Sequence, residues 1–147
     1  SSRQHHMCLR ESIQDDILNY TLPGHCNIIN RRRELAKIYQ DRLGGFEELQ
    51  LPPGPSSDSN HFDVYQNYEL QADNRDDLKA FLYENGVGTL IQWGGQAVHQ
   101  FKQLGFDITL PKTEKFFERC IMLPMNVFIS DEDTHYICDQ INTFYRK

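Results

Sequence analysis

Ten residues, Leu51-Pro52-Pro53-Gly54-Pro55-Ser56-Ser57-Asp58-Ser59-Asn60, constrain this chain more than any other stretch. Proline has a fixed φ and no amide hydrogen, so this run cannot join a sheet ladder or a helix interior. It is also too short to act as a low-complexity linker. It therefore divides a helical approach from a mixed remainder within one domain, as expected for 147 residues. With 39% hydrophobic and 24% charged residues, the chain has the means to build a core.

Before this loop, Glu11 to Tyr20 reads as a short helix, stopped by Leu22-Pro23-Gly24. Residues 28–43 read as a strong helix, with Asn27 as its cap and Leu35, Ile38, Tyr39 and Leu43 on its apolar side. Gly44-Gly45 ends it. Arg31-Arg32-Arg33 invites an anion-binding reading, but Glu34 and Asp41 dilute the charge and a solvated helix shoulder is the simpler expectation.

After the loop, residues 64–70 alternate as a strand, with Val64, Gln66, Tyr68 and Leu70 on one face. Asn74 caps a helix carrying Asp76 and Asp77 in its first turn and Leu78, Phe81 and Leu82 on its stripe; Asn85-Gly86 ends it. Thr89 to Trp93 is a second strand, Ala97 to Leu104 resumes helical spacing, and Lys112 to Cys120 is a further helix. Met122 to Met125 is a short extended piece that Pro124 places at an edge or strand end. Ser130 and Asp133 resemble a capping box for a last helix over 131–145. The order is helix, strand, helix, strand, helix, helix, short strand, helix. It predicts a two-layer α+β domain with helices on one face of a small sheet.

The net charge of −6 argues against a nucleic-acid binder, and no apolar run approaches the length of a membrane span. Ser1 to Arg10 lacks the apolar core of a secretory signal, so a cytoplasmic location is expected. Cys8, Cys26, Cys120 and Cys138 show no metal-ligand spacing and read as free thiols, Cys120 and Cys138 within apolar helical patterns. His61, His99 and His135 lie far apart without local partners, so no metal site is expected.

There is no Gly-x-Ser-x-Gly, Walker loop or Gly-x-Gly-x-x-Gly. The unusual segment is Gln92-Trp93-Gly94-Gly95-Gln96-Ala97-Val98-His99. The glycines allow close backbone approach, the indole offers a flat apolar face, and the imidazole offers a donor or acceptor. Two readings stand: a pocket for a ring-shaped polar ligand, or a tight turn with a core tryptophan.

A family resemblance runs through several segments in order. They are Arg31 to Tyr39, His61 to Tyr68, Asn74 to Leu78, Gly86 to Trp93, Leu110 to Glu114, Leu123-Pro124-Met125 and Ile129 to Asp133. Residues 28–146 thereby resemble the small C-terminal domain of the DegT/DnrJ/EryC1/StrS sugar aminotransferases, and the Gln-Trp-Gly-Gly segment is similar to enzymes that aminate the 3-keto group of a dTDP-deoxysugar. The resemblance implies an α+β small domain of the type I PLP-dependent aspartate-aminotransferase fold, with a few-stranded, mostly antiparallel sheet. It implies a dimeric enzyme that moves an amino group from glutamate to a keto sugar on a nucleotide, with PLP on a lysine.

Residues 1–27 do not follow the family and stand as a separate leading segment, with the small domain at 28–147. None of Lys37, Lys79, Lys102, Lys112, Lys115 and Lys147 lies in the family's Ser-x-His-x-x-Lys context. The resemblance therefore implies that the large PLP-binding domain is absent from these residues. A catalytic residue and stable PLP binding are not expected of the chain alone, and it pairs with itself or with a chain carrying the large domain. Gln92, Trp93, Gly94, Gly95 and His99 are the expected substrate-binding residues, with His99 facing the sugar. The alternative is a non-catalytic binding or assembly module on the same fold. Either way, an uncovered apolar surface is expected around Phe46, Trp93 or Phe101.

Overall fold

The computed structural model describes the backbone of residues 2–146 except 59 and 61, and side chains from residue 13 onward within that range. The Cys8 side chain and His61 lie outside the described residues. The described residues form four α-helices and a three-stranded antiparallel sheet: α1 (Ser2–Leu43), β1 (Leu49–Gln50), β2 (Tyr68–Ala72), α2 (Arg75–Glu84), α3 (Pro111–Arg119), β3 (Cys120–Leu123) and α4 (Asp131–Tyr145). The expected α+β class and antiparallel sheet are both observed. β2 is central, pairing Leu49 with Ala72 on one side and Tyr68 with Leu123 on the other.

α1 corrects two expectations, because it passes through Pro23 without stopping and leaves Asn27 in its interior rather than at a cap. Pro23 cannot donate to the Asn19 carbonyl, but this part of the helix is exposed, so the freed carbonyl faces solvent. Thr21 Oγ1 also donates back to the carbonyls of Ile17 (2.9 Å) and Leu18 (3.3 Å). The helix ends at Gly44, as expected. A Cβ at Gly44 would lie 2.7 Å from the Gln40 carbonyl oxygen, which itself accepts from Gly44 N at 3.0 Å.

The core joins Leu35, Tyr39 and Leu43 of α1 to Tyr68, Leu70 and Ala72 of β2, Leu78 and Leu82 of α2, and Ile137 and Ile141 of α4. Period 3.6 in the helices and period 2 in β2 bring these side chains to one cluster. Tyr39 donates to the Pro124 carbonyl at 2.8 Å, so its hydroxyl is satisfied inside the core. Cys120 and Cys138 are buried free thiols, and burial pushes Cys138 up to about 12. Cys120 opens β3 instead of ending a helix. Cys26 is exposed.

The arginine triplet is not a solvated shoulder. Arg31 pairs with Asp131 at 2.7 Å and donates to the Ile129 carbonyl at 2.6 Å. Arg33 donates to the carbonyls of Asp63 (2.6 Å) and Pro55 (2.7 Å) and lies over the Phe62 ring at 4.2 Å. These two residues fasten α1 to the approach to α4 and to the proline loop.

The strand expected at 64–70 begins only at Tyr68. Tyr65 N donates to Asp63 Oδ1 (2.8 Å) and its hydroxyl to the Pro53 carbonyl (2.6 Å), which holds Tyr65 at φ 49° and turns the chain before pairing can start. Asn74 opens α2 through a left-handed backbone (φ 52°) without the expected side-chain cap. At α4 the capping box forms, with Ser130 Oγ accepting from Asp133 N at 3.0 Å.

Residues 89–110 depart furthest from expectation. The strand at 89–93 shrinks to one bridge, Leu90 to Met122, with bonds of 3.2 and 2.8 Å. The helix at 97–104 becomes two single 3₁₀ turns, Val98–Gln100 and Lys102–Leu104. Three successive left-handed residues cause the break: Trp93 (φ 53°), Gly94 (66°) and Gly95 (75°). A run of that kind can continue neither a strand nor a right-handed helix.

Candidate functional site

The left-handed turn throws Trp93 outward, where it is 75% exposed. This settles one of the two readings of the segment: the turn is tight, but the indole is not in the core. A left-handed backbone at a bulky residue costs about 1–2 kcal/mol. Gly94 and Gly95 meet the same requirement at no such cost. At Gly95 a Cβ would also meet Ile91 Cγ2 at 3.3 Å, so space and backbone both favour glycine there.

Beside Trp93 lies an open, mainly apolar groove of about 710 Å³, with His99, Phe101, Leu104, Leu110 and Phe117 among its lining. Of the expected substrate-binding residues, Trp93 and His99 meet at this groove. Gln92, Gly94 and Gly95 do not line it. They form the turn that presents the indole.

His99 is only 7% exposed. It does have a partner: Nε2 lies 3.0 Å from Glu114 Oε1, fifteen residues along the chain. The same carboxylate oxygen accepts from Leu110 N at 2.9 Å. The Leu110 amide and then the His99 ring hold the Glu114 carboxyl below its usual range. An ionised carboxylate only accepts, so this contact puts a hydrogen on His99 Nε2. The pair fixes the orientation of the imidazole at the groove wall.

Sequence reasoning missed Glu114 because the irregular 3₁₀ turns between it and His99 have no period to count. A signal was present: Pro111 at the first helical position marks the start of α3, where an acidic side chain meets free amides. The apolar surface expected near Trp93 and Phe101 is uncovered, with Val98, Leu104, Phe106 and Ile108 also exposed. Phe46 does not belong to it. Its ring packs on the core beside Tyr145, with centroids 6.0 Å apart.

None of the described lysines lines the groove. Lys37 is tied to Asp41 at 2.6 Å on α1, and Lys102, Lys112 and Lys115 are exposed. The groove as built offers no amine for a Schiff base, so its residues do not fit PLP as a covalently held cofactor. Among the described residues no helix is long and apolar enough to cross a membrane.

Residues 11–142 match the DegT/DnrJ/EryC1/StrS aminotransferase family, so the match begins inside the leading segment that was expected not to follow it. The chain is 30% identical over 141 residues to a "Pleiotropic regulatory protein" of Geobacillus stearothermophilus, with 92% of this chain and 37% of that protein covered. It is 26% identical over 114 residues to a dTDP-4-dehydro-2,3,6-trideoxy-D-glucose 4-aminotransferase of Saccharopolyspora spinosa, covering 76% of this chain and 29% of the relative. The chain thus spans about a third of the length of these curated relatives. Its fold matches the crystal structure of the aminotransferase TlmJ from Streptoalloteichus hindustanus with a TM-score of 0.76 at 26% identity, covering 85% of this chain and 34% of that one. On these matches, the chain belongs to the DegT/DnrJ/EryC1/StrS aminotransferase family.

Proposed function

We propose that residues 28–147 form the small domain of a PLP-dependent nucleotide-sugar aminotransferase of the type I fold, with residues 1–27 leading into it. The observation that carries this reading is the groove in which an outward indole stands beside a buried, oriented histidine. In this reading the groove receives the deoxysugar of a dTDP-linked keto sugar. The Trp93 face covers the apolar side of the ring, and His99, held by Glu114, hydrogen-bonds a sugar oxygen. Family membership and the named activity of the Saccharopolyspora relative support the substrate class.

The chemistry of amino transfer belongs to PLP, whose lysine comes from outside these residues in this reading. Glutamate serves as amino donor in the whole enzyme. The chain's own part is to bind, orient and exclude water. By itself it does not transaminate, and it works in a homodimer or beside a segment carrying the cofactor, in the cytoplasm. The uncovered apolar stretch from Trp93 to Leu110 favours a covering partner and equally supports the second reading, a non-catalytic assembly module.

Trp93 is the sole tryptophan, so intrinsic fluorescence reports on this groove directly. Titration with a dTDP-linked keto deoxysugar is expected to change its emission saturably, and His99→Ala to weaken binding about tenfold, the value of one buried hydrogen bond to a ligand. An emission that never saturates at millimolar ligand rejects the sugar-binding reading. Borohydride treatment with PLP, followed by mass analysis, is expected to give no adduct on a single lysine. A specific adduct would place a cofactor site on this chain and overturn the division of labour.

A further inference from the structure

We propose that a second cavity, built around Arg32, binds a small carboxylate ligand. The cavity measures about 240 Å³ and shares no lining residue with the Trp93–His99 groove. Arg32, Gln66, Asn67, Leu123, Met125 and Asn126 shape it, between α1, the approach to β2 and the end of β3.

The three consecutive arginines differ sharply. Arg31 and Arg33 are committed to carboxylate and carbonyl oxygens. Arg32, among the described residues, makes no hydrogen bond or ion pair, and its Nε is closed off from solvent without an acceptor. Leaving a buried donor unmet is costly, and more so when the group is charged. Among the described residues nothing uses this cation.

The rest of the lining is complementary to an anion. It contains no acidic side chain, although the chain as a whole carries a net charge of −6. Asn126 Oδ1 is occupied by Phe128 N at 3.0 Å, which leaves the Asn126 amide nitrogen as a donor. Gln66 and Asn67 add further amides. A single guanidinium supplies one positive charge in a flat fork that matches a carboxylate edge. Inorganic phosphate, also anionic, has no aliphatic stem to set against the rest of the lining. The apolar walls of Leu123 and Met125 suit a short aliphatic stem behind the carboxylate. A small turn of the Arg32 side chain would bring Nε onto the ligand and give it the acceptor it lacks.

This site does not depend on sugar binding at the other groove, so the two readings can fail separately. The test is an amide-resolved NMR titration of the 147-residue chain with sodium glutarate at constant ionic strength. Neutral glutaramide and inorganic phosphate serve as comparators. Glutarate is expected to give saturable shifts at Asn67, Met125 and Asn126, glutaramide none, and phosphate weaker binding. Arg32→Gln should weaken glutarate binding about tenfold or more, with Arg32→Lys in between. Should Arg32→Gln fail to fold, Asn126→Ala supplies the same comparison with a loss of a few fold. Shifts that never saturate, shifts that map elsewhere, an unchanged Arg32→Gln (or, where it does not fold, an unchanged Asn126→Ala), or tighter binding of phosphate than glutarate would each overturn the proposal.

Discussion

The C-terminal half of α1 and the segment from Trp93 to Leu110 are both rich in large apolar side chains, yet they end in opposite environments. Leu35, Tyr39 and Leu43 are fully buried, while Trp93, Val98, Leu104 and Ile108 are each more than half exposed. What separates them is periodicity. In α1 the apolar residues recur at helical spacing and gather on one side, which α4 and β2 cover. In the later segment a left-handed turn and two single 3₁₀ turns scatter them in several directions. Apolar content becomes core only where a regular backbone concentrates it on one face. Where it does not, it remains as surface for something else to cover.

The strongest attempt to break this contrast pairs two leucine truncations. Leu35→Ala is expected to cost about 2–5 kcal/mol, because the site is sealed and collapses only partly. Leu104→Ala, 59% exposed, should fall within about 0.5 kcal/mol of the parent. Urea midpoints for both variants decide it, and equal losses would mean that the later segment is packed after all.

Next in size is Ser130→Ala at the start of α4, the helix that covers α1. Removing the cap should cost about 1 kcal/mol. A Ser130→Thr control, which keeps the hydroxyl, should hold most of the stability.

Trp93→Gly probes the other region and should act in the opposite direction. It relieves a left-handed residue worth about 1–2 kcal/mol while adding about 0.5–1 kcal/mol of chain entropy to the unfolded state. The expected net change is a gain between about zero and about 1.5 kcal/mol. A thermal melt showing a clear loss instead would mean that the exposed indole holds the fold together.

The smallest effect concerns pH. Glu114 has a carboxyl held below its ordinary value, first by the Leu110 amide and then by His99. A depressed carboxyl contributes stability above its unfolded pKa, and that contribution is lost as the pH falls through the folded value. Glu114→Gln should therefore flatten the acid side of the stability profile below about pH 4.5. An unchanged acid slope would show that the Leu110 and His99 contacts of Glu114 are not maintained in solution.

Much of the fold was legible because helix and strand periods are local. The stripe of α4, its Ser130–Asp133 box, the end of α1 at Gly44 and the strand-end role of Pro124 all follow from spacings of a few residues. Pro23 misled because an interior proline costs a helix stability without always ending it, and here its freed carbonyl lies in an exposed stretch. Half of the site was legible in the same way. The Trp-Gly-Gly turn and His99 stand out in sequence, but Glu114 and the groove wall at Phe117 arrive from α3.

By itself the sequence determined the class of the domain, the succession of most of its elements and the residues able to enter its core, since each depends on neighbours three or four positions away. Tertiary structure alone decided which cations are spent and which is left over. Arg31, Arg32 and Arg33 are chemically identical neighbours, yet two meet oxygens thirty or a hundred residues away and the third meets a cavity. It also decided that His99 is buried against a carboxylate while Trp93, six residues before it, faces outward. Hydrogen bonds and burial depend on distance in space, and only the folded chain sets that distance.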